Sequence, residues 1–342
     1  MLSDRKRPSG RTRCRLGRGL QLLLIVALTG CATPAPIEPT GPTEAELDQR
    51  DEAVAGGGQL IDEGEYREAI ALFESVIEVY PETVPAWIGL GDAHAGLKEW
   101  QEAEPSYAEA SRLEPANYDA QFGHGTSLQV LSRHGDALAA FHRALVIRPD
   151  SANAAMGLGT TYLLMGAHEQ AVPFTRRAVA IDATDGRSWV ALGVALEGTG
   201  DNEAALAAYI SASEHMNVSP QLLRNLLNAY VRLNRYREVI GTAQTLESLE
   251  GPAPHPLERS GWAWFKLGEY DRSATAYRRA TEVDPQWWRA WNGLGVTAMN
   301  RWLLSGRTDI NARDEAASAL RTSLRLNPRQ DKVVSLVSRY GL

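Results

Sequence analysis

The chain has 342 residues, with 35 Lys and Arg against 42 Asp and Glu and a formal net charge of −7 at pH 7. This acidic balance argues against a nucleic-acid-binding protein, because such proteins need a basic surface to neutralise phosphates. The two cysteines, Cys14 and Cys31, are too few for a disulfide framework, so packing must stabilise the fold.

The N-terminal segment has the organisation of an export signal. Seven basic side chains lie among the first 18 residues, and an apolar run over residues 20–28 follows them. An uncleaved membrane anchor needs about 20 apolar residues, and this run offers roughly half of that number. The run closes on Leu28-Thr29-Gly30-Cys31, which resembles the lipobox of bacterial lipoproteins. The resemblance implies that residues 1–30 are a signal peptide, removed after a diacylglycerol has been attached to Cys31.

Processing at this point leaves 28 basic and 41 acidic side chains and no cysteine for a disulfide. The charges are unevenly spread, since residues 44–104 hold sixteen acids against three bases and residues 272–342 hold six acids against twelve bases. Residues 31–49 contain four prolines and few large apolar side chains, which predicts an extended tether. We therefore expect a folded part with an acidic end near the lipid and a basic far end.

Beyond the tether the sequence repeats itself every 34 residues. The eighth position of the unit is glycine in seven of eight units and Leu227 in the sixth. Position 24 is mostly large and reads Phe73, Tyr107, Phe141, Thr175, Tyr209, Ala243, Tyr277 and Leu320. Prolines close five units, at residues 81, 115, 149, 285 and 328. The glycines predict a close approach of two antiparallel helices, and the prolines predict the end of each second helix.

This pattern resembles the tetratricopeptide repeat family and covers residues 50–330. The resemblance implies an all-α fold, a right-handed superhelical solenoid of about eight helix-turn-helix repeats, in which each unit buries its apolar face against its neighbours. Apolar residues at helical spacing in residues 331–342 predict a capping helix over the last open face.

Two units depart from the pattern. Unit six has Leu227 in place of glycine, Ala243 in place of an aromatic residue and Gly251 in place of proline, which predicts a looser joint. Unit eight fits only if nine extra residues stand between its two helices. Residues 300–313 are therefore expected either to lengthen the helices or to form a protruding loop.

No constellation of catalytic or metal-binding residues stands out. The seven histidines have neither the spacing of a metal site nor that of a catalytic triad, and no His-Glu-x-x-His or Cys-x-x-Cys motif occurs. The glycine-rich segment at residues 123–127 contains an eighth-position glycine and falls inside a predicted helix. We therefore predict no enzyme, no cofactor and no metal site.

In this family a concave groove, lined by recurring positions of the first helices, binds peptides. The candidate partner-binding residues are Arg224, Asn228, Arg259, Trp262, Phe265, Arg289 and Asn292. Exposed aromatic residues there would be binding anchors, although the same rings can instead pack against neighbouring first helices. Family members that bind a C-terminal carboxylate use Lys or Arg and Asn, and the match is partial because Arg259 replaces the middle asparagine. Trp264 and Trp291 occupy core positions.

The combined expectation is a protein-interaction scaffold tethered to the periplasmic face of the outer membrane. Ala32 after the lipidated cysteine is not the aspartate associated with inner-membrane retention in enteric bacteria. The partners would be envelope proteins or peptide segments. Lipoproteins that it resembles include assembly factors of type IV or Tad pili or secretion systems, and adaptors of peptidoglycan hydrolases. A further alternative is an exopolysaccharide export component or carbohydrate-binding solenoid, which a groove rich in exposed aromatic residues and carboxylates would favour.

Overall fold

The computed structural model describes residues 42–342. Within them the chain forms seventeen α-helices and no β-strand. The predicted signal peptide, the lipidation site Cys31 and the tether up to residue 41 lie outside the described residues. Residues 48–342 form one compact unit. The helices are α1 (Glu44–Glu63), α2 (Tyr66–Val79), α3 (Val84–Gly96), α4 (Trp100–Leu113), α5 (Tyr118–Val130), α6 (His134–Ile147), α7 (Ala152–Leu164), α8 (His168–Ile181), α9 (Gly186–Thr199), α10 (Asn202–His215), α11 (Pro220–Arg232), α12 (Tyr236–Glu250), α13 (Pro254–Lys266), α14 (Tyr270–Val283), α15 (Trp288–Leu304), α16 (Ile310–Leu326) and α17 (Asp331–Tyr340).

Sixteen of these helices form eight pairs, each made of an odd-numbered first helix and the second helix that follows it. Every second helix also packs on the first helix of the next pair, and α17 packs on α16. First helices α3, α5, α7 and α9 contact one another in succession, as do α11, α13 and α15. The prediction of an all-α solenoid of about eight repeats is confirmed. Because a curved stack brings its inner layer closest together, the first helices line the inner face.

The first helix begins at Glu44, inside the predicted tether. Thr43 and Glu46 form a capping box, in which Glu46 Oε2 accepts a hydrogen bond from the Thr43 backbone N–H at 2.7 Å and Thr43 Oγ1 accepts one from the Glu46 N–H at 3.4 Å. These bonds satisfy amide groups that the start of a helix leaves free. Helix α1 therefore starts within the predicted tether, six residues before the predicted start of the repeats at residue 50.

The glycines at position eight lie against the large residue of the same unit. A Cβ atom on Gly57 would come within 2.5 Å of the Phe73 ring, and one on Gly261 within 2.9 Å of the Tyr277 ring. The predicted close approach is confirmed. The same ring also reaches the next first helix, since a Cβ atom on Gly293 would lie 2.2 Å from Tyr277. Tyr277 therefore packs two consecutive units together, as Phe73, Tyr107 and Phe141 also do.

The predicted proline stops are confirmed as well. Helices α2, α4, α6, α14 and α16 each end two residues before a proline. A proline ends a helix because it has no N–H to donate and because its ring disfavours the helical conformation of the preceding residue.

In unit six the large and the small side chain of the helix–helix contact have exchanged helices. Leu227 on α11 is fully buried and Ala243 on α12 is almost fully buried, so the large side chain stands on the first helix and the small one on the second. Both belong to one apolar cluster with Val239 and Ala263. Two of the three departures that predicted a looser joint, Leu227 and Ala243, therefore compensate each other in volume.

This exchange can be tested with single and double variants. Leu227→Gly is expected to destabilise the fold by about 2–5 kcal/mol through the cavity that it leaves, and Ala243→Phe by about 1–3 kcal/mol because it overfills the same space. The double variant recreates the arrangement of the other units and should recover about 0.5–3 kcal/mol of the summed loss. Urea unfolding of residues 42–342 measures all three, and strictly additive losses would show that the two positions do not share one space.

The extra residues of unit eight lengthen its helices. Helices α15 and α16 have 17 residues each, against 13 and 14 in α3 and α4, and five residues join them. Of the two expected outcomes, the longer helices are confirmed. Trp302 in the extension is buried and packs edge-on against Tyr340 of α17, with 6.3 Å between ring centroids. The extension therefore supports the last helix.

Candidate functional site

The seven predicted partner-binding residues lie on the first helices of units six to eight. Helix α11 carries Arg224 and Asn228, α13 carries Arg259, Trp262 and Phe265, and α15 carries Arg289 and Asn292. A sharp turn positions α13 between its neighbours. Gly251 ends α12 with a φ of 85°, which a residue with a side chain adopts only under strain. Pro254 then opens α13, where its fixed φ suits the first helical turn.

An apolar pocket of about 400 Å³ lies between α13 and α15. Trp262, Phe265, Trp288 and Val296 provide most of its apolar lining. The Trp262 ring meets the Tyr236 ring of unit six nearly at right angles, with 5.3 Å between centroids and an interplanar angle of 71°. Both interpretations of Trp262 therefore apply, because its ring packs against the neighbouring unit and also lines an open pocket. A half-buried aromatic side chain of this kind is typical of a binding anchor.

Two cations border this pocket, each over a tryptophan ring. Lys266 Nζ lies 6.0 Å from the centroid of the Trp262 ring, and the guanidinium carbon of Arg289 lies 4.9 Å from that of Trp288. At these distances the negative face of the ring attracts the cation. The rim of the pocket therefore presents positive charge beside apolar walls.

Three arginines converge on His255, in the first turn of α13. Arg259 Nε donates a hydrogen bond to His255 Nε2 at 3.4 Å. Burial lowers the pKa of His255, and the charges of Arg259, Arg289 and Arg224 lower it further, against the opposite effect of Glu258. Positive charge beside an imidazole disfavours its protonated form and so lowers its pKa, unless nearby acidic side chains offset that charge. The three predicted arginines, whose charges all act on the His255 ring, are here called the arginine cluster.

The members of the arginine cluster differ in their partners. Arg224 forms an ion pair with Glu250 at the end of α12. Within residues 42–342, Arg259 and Arg289 form no such pair with an acidic side chain. These two guanidinium groups therefore have hydrogen-bond donors available for a ligand.

The two predicted asparagines lie in different surroundings. Asn292 lines the pocket, and its Nδ2 donates to Gln330 Oε1 at 3.2 Å. Gln330 is buried and is held in turn by the backbone carbonyls of Ser323 and Asn327, so residues just before α17 orient the Asn292 amide. Asn228 is half-buried on α11 and is not among the residues that line the pocket.

Repeat positions alone did not identify Lys266 and Trp288 as lining residues. Next to Trp288, Trp287 donates from Nε1 to Glu258 Oε2 at 3.4 Å, and the Glu258 side chain is buried. Burial of the Tyr277 hydroxyl at the base of the pocket, followed by the charge of Glu258, raises its pKa. Two adjacent tryptophans at the start of unit eight are the sequence signal for this part of the site.

A second cavity, of about 370 Å³, lies on the outer side of these units between α12 and α14. Ala243 and Trp264 are among its lining residues. Trp264, predicted to be a core residue, packs against the apolar cluster of unit six, but its ring is only half-buried and has the Arg272 guanidinium carbon 4.8 Å from its centroid.

One histidine of unit two and one of unit three are paired with carboxylates. His94 Nδ1 lies 3.0 Å from Glu99 Oε2, and His124 Nε2 lies 3.2 Å from Glu104 Oε1. In the part of the chain that the structure describes, no group of three or more His, Cys, Asp or Glu side chains is placed to hold a metal ion. None of the helices between residues 42 and 342 combines the length and the apolar character needed to cross a bilayer.

Comparison with known proteins identifies the repeat. The family model described as tetratricopeptide repeat matches residues 59–120, 122–186 and 259–302, which together make up half of the chain. The small glutamine-rich tetratricopeptide repeat-containing protein 2 of Mycosarcoma maydis is 30% identical over 118 residues, which are 34% of this chain and 33% of that protein. The chain thus spans about a third of the length of this relative.

Two solved structures are similar to this chain in fold. PilF of Pseudomonas aeruginosa superimposes with a TM-score of 0.54 and 16% identity, over 60% of this chain and 93% of that one. PilW, described as a widely conserved type IV pilus biogenesis factor, superimposes with a TM-score of 0.54 and 17% identity, over 61% of this chain and 94% of that one. At these identities the likeness shows the fold alone.

Proposed function

Because this chain belongs to the tetratricopeptide repeat family, whose members are in general protein-interaction scaffolds, we propose that it is a lipid-anchored periplasmic scaffold that binds an acidic, aromatic-containing segment of an envelope protein. The pocket between α13 and α15 is the observation that carries this proposal. Trp262 and Trp288 give it apolar surface, while Lys266 and Arg289 place positive charge at its rim. An aromatic side chain would fill the pocket, and carboxylates beside it would meet the cations.

The arginine cluster extends this binding surface from α15 towards α11. Its guanidinium groups are planar and suited to bidentate hydrogen bonds with carboxylates. Arg259 stands where related carboxylate-binding proteins have asparagine, so the cluster carries one more positive charge than theirs. This extra charge favours a segment with several acidic side chains over one recognised by its C-terminal carboxylate alone.

Among envelope machines, we propose the assembly of a type IV or Tad pilus or of a secretion system. PilW is described as a type IV pilus biogenesis factor, and that role comes to this chain only as a hypothesis. An adaptor of peptidoglycan hydrolases is the alternative. The identity of the bound partner would distinguish the two, since one is a machine component and the other a hydrolase.

A carbohydrate-binding role receives less support from the groove. Exposed aromatic residues and carboxylates together were the feature expected to favour it. Trp262 and Trp288 supply the aromatic rings, but their neighbours at the rim are cations. Glu258, the carboxylate that lines the pocket, is buried and accepts a hydrogen bond from Trp287. Cations beside aromatic rings favour an acidic ligand over a neutral glycan.

The remaining parts of the proposal come from the sequence. A lipid on Cys31, followed by Ala32 rather than aspartate, favours the outer membrane. We propose binding rather than catalysis, because the groove of units six to eight combines cations, amides and aromatic rings and, among the described residues, holds no pairing of a nucleophile with a general base.

A photo-crosslinking amino acid at Val296, which lines the pocket, tests this proposal in living cells. We expect an adduct with an envelope protein whose crosslinked peptide, identified by mass spectrometry, carries an aromatic residue beside acidic ones. The matched control has the same amino acid at Ala207, an exposed residue of second helix α10. The same adducts at both positions, or adducts with cytoplasmic proteins alone, would contradict the proposal.

A further inference from the structure

We propose that His255, within the arginine cluster, takes up a proton when an acidic segment binds there. This inference rests on the proposed function, because it concerns the same groove. The residue lies in the first turn of α13 between Pro254 and Pro256, and it is half-buried.

The hydrogen bond in the ligand-free groove requires a neutral imidazole. His255 Nε2 accepts from Arg259 Nε at 3.4 Å, so this nitrogen carries a lone pair and the ring proton is on Nδ1. A proton on Nε2 would point towards the guanidinium N–H, donor against donor. Without a ligand, protonation of the ring therefore breaks this hydrogen bond and adds a positive charge beside another.

The potential at the ring is set by every helix packed around it. Arg224 of α11, Arg259 of α13 and Arg289 of α15 contribute positive charge, and with burial as the largest effect they lower the pKa of His255. Glu258 acts in the opposite direction. The end of α12 contributes an acidic side chain that is already held in an ion pair with the arginine of α11.

A bound carboxylate changes the electrostatic potential at the His255 ring. Its negative charge offsets the arginines, and its oxygens accept hydrogen bonds from Arg259 and from protonated His255 together. An opposite charge beside an imidazole favours the protonated form, so the pKa of His255 rises on binding and the ring takes a proton from solvent. Because proton uptake and binding are linked, the affinity for the acidic segment is constant at pH values above the pKa that His255 has in the complex. The affinity increases as the pH falls from that value towards the lower pKa that His255 has in the free protein.

The probe for this inference is the peptide acetyl-Asp-Asp-Phe-Asp-Asp-amide, whose carboxyl groups stay ionised above about pH 5.5. Calorimetric titration near pH 6, in buffers of different ionisation enthalpy, measures the protons taken up on binding. We expect the full-length wild-type protein to take up a fraction of a proton and to bind about three to ten times more tightly at pH 5.5 than at pH 8, since a pKa rise of one unit is worth at most tenfold. His255→Gln keeps a hydrogen-bond acceptor and should bind without either effect.

The NMR signal of the His255 Cε1 proton gives a second measurement, which needs no folded variant. It should titrate at a higher pH in the complex than in the free wild-type protein. Equal titration in both, or proton uptake that persists in His255→Gln, would overturn the inference and leave the groove as a site for acidic segments. A wild-type protein that does not bind the probe at any pH would overturn the acidic ligand class of the proposed function, and the inference with it.

Discussion

Changing Cys31 to serine is expected to keep the protein at its full, unprocessed length and to prevent the attachment of lipid. The cysteine sulfur is the only atom of the proposed lipobox that can carry the diacylglycerol, and cleavage follows lipidation in the lipoproteins that this segment resembles. Incorporation of a labelled fatty acid, together with the mass of the protein, measures both steps. Loss of several acyl chains should abolish stable membrane attachment, since even one chain holds a protein only marginally.

Cys14 provides the matched control within the same segment. Cys14→Ser removes a cysteine from the part of the chain that is predicted to be discarded, so lipidation and processing should remain as in the wild type. A Cys31→Ser protein that reaches the mature mass and still partitions with membranes after a carbonate wash would show that the lipoprotein assignment is wrong.

Much of the fold follows from the sequence because each repeat position has one physical task. The ring of Phe73 needs a surface without a side chain, and Gly57 supplies it, so the pair indicates a helix–helix contact before any coordinates are known. The repeat pattern is less informative where two positions exchange roles. Leu227 and Ala243 depart from it separately and are compatible together, because the core requires a total volume rather than a given residue at either position.

The start of the fold shows a different limit. The prolines before residue 43 indicate an extended chain, and the repeat pattern, counted in units of 34 residues, begins only at residue 50. The helix nevertheless starts earlier because Thr43 and Glu46 cap it. A capping box is a local signal that neither composition nor the repeat period detects.

The sequence predicts some residues of the candidate site and does not predict others. Trp262, Phe265, Arg289 and Asn292, which the repeat positions place in the groove, all line the pocket, because the first helices present equivalent positions on one face. The repeat pattern does not predict Lys266 as a lining residue. Its long side chain is positioned by contact with the Trp262 ring, and the period of the repeat does not specify such a contact. The position of His255 among the arginines also depends on three separate helices, so only the three-dimensional structure brings the cluster together.

Replacing Trp262 with alanine is expected to weaken binding of the captured envelope segment about 30-fold, or about 2 kcal/mol, because it removes the aromatic anchor of the pocket. Arg289→Ala should act mainly on the association rate and on its salt dependence, since its charge lies at the exposed rim. Association rates and affinities measured by surface plasmon resonance at low and high salt separate the two effects.

Trp264→Ala is the matched control for this prediction. It truncates the same kind of side chain on the same helix, but on the side that faces the outer cavity. Both variants lose packing around α13, since each ring packs against the apolar cluster of unit six. The midpoint temperature of thermal unfolding should therefore fall by similar amounts in the two proteins. Only Trp262→Ala should then lose affinity. Full affinity in Trp262→Ala together with a loss in Trp264→Ala would move the binding site from the inner groove to the cavity between α12 and α14.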